Sequence, residues 1–125
     1  MMASLVVLAA AVLGFLAVAL GAFGAHGLKA TLSADMMAVY QTAVQYHVYH
    51  ALALLLVGIL MHSGVQHLSL RIAAVLFFVG VLVFSGSLYA LAITEIKILG
   101  AITPIGGLMF LIAWACVAIA AWKAM

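Results

Sequence analysis

Four long apolar stretches, separated by short polar ones, organise this chain. They run approximately from Ala3 to Phe23, Ala43 to Met61, Ile72 to Ile93 and Ile102 to Trp122. Each is close to the roughly 20 helical residues needed to cross a hydrocarbon core of about 30 Å. Backbone amides in lipid must be bonded within the segment, and the stretches are too long and too unalternating for barrel strands, so helices follow. The pattern predicts a single all-α membrane domain over 1–125. Its form is an integral-membrane antiparallel bundle of four transmembrane helices, near 3–23, 34–61, 70–93 and 103–122.

Punctuation along the chain agrees with these spans. Gly21, Gly24 and Gly27 close the first, while Ser33 and Ser69 are placed to cap the second and third. Gly100 suits a helix stop, and Thr103-Pro104 offers an N-cap followed by proline at the first helical position. A second helix from Ala34 to Met61 would be about 42 Å long at 1.5 Å per residue, longer than the core. Its first turns, with Asp35, Tyr40, Gln41 and Gln45, are therefore expected in the wet interface.

Composition fixes the solvent. Hydrophobic residues make up 71% of the chain and charged ones 5%, with a mean hydropathy of +1.49; no soluble domain reads this way. The net charge of +2 comes from scattered Lys29, Arg71, Lys97 and Lys123 against Asp35 and Glu95. That leaves no footprint for nucleic acid and makes the lipid bilayer the expected partner. Cys116 is the only cysteine, so an intramolecular disulfide is excluded. The first stretch has no Lys or Arg before it and outruns a signal-peptide core, so it is expected to be retained. Lysine and arginine balance across the two sides, and the N-terminal amine tips the reading toward cytoplasmic termini. Activity of a reporter fused at Met125 only outside the cell would overturn that orientation.

Connectivity then sorts the polar residues. Four antiparallel spans put His26, Tyr46, His47, Tyr49, His50, Ser85, Ser87, Tyr89, Thr94, Glu95 and Thr103 on one side. Ser4, His62, His67, Arg71 and Trp122 fall on the other, nearly all at or beyond helix ends. Intramembrane polar chemistry is thus concentrated in one leaflet. His26, Tyr46, His47, His50, Ser85, Ser87, Tyr89 and Thr103 form the candidate ligand-binding neighbourhood.

His47 and His50, three residues apart, lie on one helix face and could share a metal, with His26 as a third ligand. The plainer reading makes each imidazole a polar anchor bonded across helices. Tyr40, Tyr46, Tyr49 and Tyr89 read as headgroup-level anchors, or more sharply as part of a quinone or lipid-headgroup site. Ala10, Gly14, Ala17, Gly21 and Gly24 line one face of the first helix and permit close approach of another helix, within the chain or in a homo-oligomer. Ser85-Gly86-Ser87 gives the third helix a similar patch, expected to face His47.

Several segments together resemble a known family. They are Gly21-Ala22-Phe23-Gly24-Ala25-His26-Gly27-Leu28, Thr42-Ala43, Tyr46-His47, His50-Ala51-Leu52, Phe84-Ser85-Gly86-Ser87-Leu88-Tyr89, Thr103-Pro104-Ile105-Gly106-Gly107 and Trp114. The chain is similar in these to the small membrane proteins called domain of unknown function 423, which include YgdD-like bacterial inner-membrane proteins and resemble animal transmembrane protein 256. The resemblance covers nearly the whole chain. It implies a small multi-pass protein of the bacterial inner membrane with no established activity. The family pattern would place a glycine or other small residue after Thr94, where Glu95 stands here.

No nucleophile with a positioned base, no phosphate-cradling glycine loop followed by lysine, and no intramembrane carboxylate pair is present. The expected function is therefore non-catalytic: assembly, or lipid or small-ligand binding, with no cofactor. A redox protein holding a metal or haem through His26, His47 and His50 is the alternative.

Overall fold

The computed structural model describes all 125 residues. Helix α1 (Met2–Phe23) runs on into a π-helical turn at Gly24–Leu28. Helix α2 (Ala34–His62), helix α3 (Leu68–Thr94), a 3₁₀ turn (Lys97–Ala101) and helix α4 (Thr103–Ala124) follow. All four helices are long and apolar enough to cross a membrane. The protein is an all-α bundle, as the four apolar stretches require.

Each helix packs along its neighbour in sequence, and α1 and α4 share no extensive face. Helices α2 and α3 form the inner pair, with α1 and α4 outside them. On the α1–α2 seam the Leu20 carbonyl meets Tyr40, and Val6 and Val7 lie over Gly58. On the α3–α4 seam Ser87 meets Thr103, Phe84 meets Gly106, Gly80 meets Phe110 and Phe77 meets Trp114. Numbers fall on one helix as they rise on the next, so both seams are antiparallel. The apolar core lies toward the other end, built on Val6, Leu54, Val57, Met61, Leu70 and Phe77 among others.

The helix ends show which local signals prevailed. Ser33 caps α2, its hydroxyl accepting from the Met36 amide at 3.2 Å. At α3 the expected cap shifts from Ser69 to His67, whose Nδ1 accepts from the Ser69 amide and lies 2.6 Å from the Ser69 hydroxyl. Thr103 does not cap α4 either; it is the first residue of that helix, and its hydroxyl is taken by Ser87 on α3. Gly100 lies within the 3₁₀ turn, and α3 ends instead at Glu95.

Glu95 adopts φ 58°, the left-handed C-terminal position at which helices favour glycine, and its amide bonds to the Leu91 carbonyl. This is the physical reason a small residue belongs after Thr94. A side chain there crowds the following carbonyl at a cost of about 1 kcal/mol. Glu95→Gly is accordingly expected to raise stability by about 1 kcal/mol, read from unfolding curves in detergent; a loss would overturn the account.

Two expectations meet on the α1–α2 seam. Its small-residue face is occupied within the chain: Ala10, Ala17 and Gly24 are buried, and α2 is the helix α1 packs on. Of the two partners open to this face, a helix of the same chain takes most of it, and of its three glycines Gly14 alone has nothing near its Cβ position. Tyr40, expected in the wet turns of α2, is 2% exposed. It lies against Gly24, where any Cβ would collide with the tyrosine ring, and its hydroxyl donates to the Leu20 carbonyl. That carbonyl also accepts from the Gly24 amide, so Tyr40 takes its second lone pair.

Candidate functional site

The polar residues of the candidate neighbourhood form two groups. One sits between α1, α2 and α3. Tyr40 and His47, seven residues apart, share a face of α2 and both meet Tyr89 of α3: the Tyr40 ring centroid lies 5.2 Å from that of Tyr89, and His47 Nδ1 is hydrogen-bonded to the Tyr89 hydroxyl at 2.9 Å. Tyr89 projects from the level of Tyr40 yet reaches His47, because side chains lean toward their own helix N-terminus and the two helices run oppositely. The Ser85 hydroxyl donates to the Ala43 carbonyl of α2 at 2.8 Å.

The expected serine patch is therefore divided. Ser85 turns to α2, but Tyr89 rather than either serine is hydrogen-bonded to His47, and Ser87 turns to α4. Its hydroxyl donates to the Phe84 carbonyl at 2.9 Å. Having used its proton, Ser87 accepts from the Thr103 hydroxyl at 2.6 Å.

The second group is aromatic and lies between α2, α3 and α4. His50 stacks on Phe110 with centroids 3.6 Å apart and planes 4° from parallel; Tyr46 lies nearly parallel to it at 5.9 Å. Its Nδ1 is 2.8 Å from the Tyr46 carbonyl, which can only accept, and the Trp114 indole donates to its Nε2 at 3.2 Å. Only the neutral imidazole with the proton on Nδ1 satisfies both partners. Phe77 and Phe84 complete the cluster.

The three candidate metal ligands have separate surroundings. No group of three metal-ligating side chains is assembled. His50 has its lone pair committed to Trp114 and its proton to Tyr46, while His26 sits exposed in the π-helical turn. His47 Nε2 is the one buried side-chain polar atom without a hydrogen-bond partner. The Leu13 carbonyl of α1 adjoins this imidazole without meeting hydrogen-bond geometry.

Tyrosines divide the same way. Tyr46 and Tyr49 remain exposed on the bundle surface, whereas Tyr40 and Tyr89 have their hydroxyls bonded inside it. Sequence reasoning set Tyr40 at the headgroup level rather than beside His47, and did not place Phe77, Phe110 or Trp114 here. The seven-residue spacing of Tyr40 and His47 could have found the first, and the need of a membrane-embedded indole N–H for an acceptor could have found Trp114.

Beside the first group, α1, the π-helical turn and α2 line a cleft of about 430 Å³. Gly21 and Gly24 contribute bare backbone to it, Tyr40 and Val44 are apolar walls, and Lys29, Gln41 and Gln45 supply the polar groups. Gln41 and Gln45 are exposed, and neither carboxamide is hydrogen-bonded to the chain.

A family model described as protein of unknown function, DUF423, matches residues 20–107. The chain belongs to the DUF423 family. It is 50% identical over 115 residues to the UPF0382 membrane protein YwdK of Bacillus subtilis, covering 90% of this chain and 92% of that one. To a UPF0382 membrane protein of Staphylococcus haemolyticus it is 49% identical over 108 residues, covering 86% and 87%. No solved structure matches. The DUF423 segment begins at Leu20, whose carbonyl receives Tyr40, and ends one residue beyond Gly106, which packs on Phe84. It contains both partners of the Ser85, Ser87 and Tyr89 ties and every residue around the α1–α2 cleft, while Phe110 and Trp114 lie beyond it. This DUF423 protein is thus a multi-pass helical membrane protein.

Proposed function

We propose that this protein is a non-catalytic membrane protein that binds a lipid or other small amphiphile in the α1–α2 cleft. The observation carrying this reading is the pair of unpartnered carboxamides, Gln41 and Gln45, one turn apart on a helix surface beside bare glycine backbone. Exposed at the headgroup level, both carboxamides are free to donate to the ester and phosphate oxygens of an amphiphile. His47, His50, Ser85, Ser87 and Thr103 each bond to a residue of the bundle, which supports a structural role: they hold α2, α3 and α4 in fixed register beneath the cleft. Residence in the bacterial inner membrane with cytoplasmic termini belongs to the same reading. The N-terminal amine joins Arg71 and Lys123 on the terminal side against Lys29 and Lys97 on the other, and the cleft then opens to the outer leaflet. The reporter at Met125 tests that orientation.

Native mass spectrometry of the full chain, released gently from detergent after equilibration with phosphatidylglycerol, tests binding. The wild type is expected to retain one lipid at several times the level of the Gln41→Leu/Gln45→Leu double variant. Equal retention by both would overturn the cleft as the binding site.

A further inference from the structure

We infer that the ligand of this cleft is an anionic glycerophospholipid, its phosphate on Lys29 and its glycerol esters on Gln41 and Gln45; this rests on the binding function proposed above. The order of chemistry along the membrane normal carries the assignment. Lys29 follows the π-helical turn and stands at the outer mouth of the cleft. Gln41 follows Tyr40, which packs on Gly24 at the start of the π-helical turn, and Gln45 is four residues further into the membrane, roughly 6 Å deeper at the rise of an α-helix. Val44 and the backbone of Gly21 form the apolar flank beside them; a Cβ on Gly21 would already stand 3.4 Å from Val44 Cγ1. From the surface inward the cleft thus presents a cation and then two groups able to donate to carbonyl oxygens, with apolar surface alongside them. A glycerophospholipid presents phosphate and then ester carbonyls in the same order, its acyl chain running on beside the bundle.

Charge selects the headgroup. Lys29 is the only charged residue lining the cleft, and no acidic side chain lines it to hold a choline or ethanolamine ammonium. Headgroups without a compensating cation, such as phosphatidylglycerol, are therefore preferred. One lysine near an anionic lipid surface is worth a several-fold difference in retention. Lys29 is exposed and outside the packed core, so replacing it leaves the fold intact.

The test compares phosphatidylglycerol and phosphatidylcholine of identical acyl chains, each offered singly to wild-type protein, Lys29→Gln and the Gln41→Leu/Gln45→Leu double variant. Retention is read by native mass spectrometry. The wild type is expected to favour phosphatidylglycerol roughly five-fold, Lys29→Gln to lose that preference while still retaining lipid, and the double variant to retain less of both. Equal wild-type retention of the two lipids overturns the anionic assignment and leaves the binding function standing. A preference that survives Lys29→Gln overturns the role of Lys29. Retention of neither lipid above the double variant overturns the binding function itself.

Discussion

Gly106→Ala is expected to be the most damaging glycine-to-alanine change in this protein. An added Cβ would stand 2.5 Å from the Phe84 backbone nitrogen and 2.8 Å from its Cα. The obstacle is a helix backbone, which cannot rotate away as a side chain can, so α3 and α4 would have to separate along their seam. Overpacking a well-filled interface costs about 1–3 kcal/mol, and this position belongs at the upper end. Gly80→Ala meets only the edge of the Phe110 ring, at 2.7 Å, and is expected to cost less. Gly86→Ala meets nothing within 4 Å and is the neutral control. Unfolding of the three variants in mixed micelles would settle the order; a Gly106 variant as stable as the Gly86 variant would mean that the seam is looser than its geometry.

The second large effect belongs to His50. Replacing it with alanine removes a ring stacked 3.6 Å from Phe110 and the acceptor of the Trp114 indole, in a site too closely packed to collapse. The expected loss is about 3 kcal/mol, as for buried aromatic truncations. Trp114→Phe deletes the hydrogen bond with less loss of volume and is expected to cost about 1 kcal/mol. In a His50→Phe background the same tryptophan change should cost less, since no imidazole lone pair is left unpaired. Identical costs in both backgrounds would show that the indole bond contributes nothing. The metal alternative makes a separate demand: purified protein would carry stoichiometric metal that His50→Ala releases.

Much of this architecture could be read from residue types, and the part that could not has a common cause. Lipid imposes span length and backbone satisfaction on every segment independently, so the four stretches declared four helices without tertiary knowledge. Connectivity likewise put His47, Ser85 and Tyr89 on one side. Which of them meet depends on the direction a side chain leans and on competition for hydroxyls, and neither is local. Thr103 has the makings of an N-cap until Ser87 is seen opposite it. Tyr40 looks like an interfacial anchor until Gly24 is found to leave room for its ring. Glu95 is the opposite case, since the family pattern already marked its position as one for a small residue, and the left-handed backbone supplies the reason. For the histidines, spacing correctly placed His47 and His50 close along one helix, but Tyr89 draws one ring toward α3 and Trp114 holds the other toward α4.

Because the extensive interfaces join helices adjacent in sequence, the order of synthesis is also an order in which packing can be completed. Helix α2 finds α1 already in the bilayer and closes on it through Tyr40 and the Leu20 carbonyl; α3 then arrives with Ser85 and Tyr89, and α4 with Gly106 and Thr103. No span must wait for a distant partner, so little loop-closure entropy stands between insertion and the native arrangement. The Trp114 indole, donated from the final helix to His50 on the second, is the one polar tie that reaches past a neighbour, and it fastens the assembly only when the last span has entered.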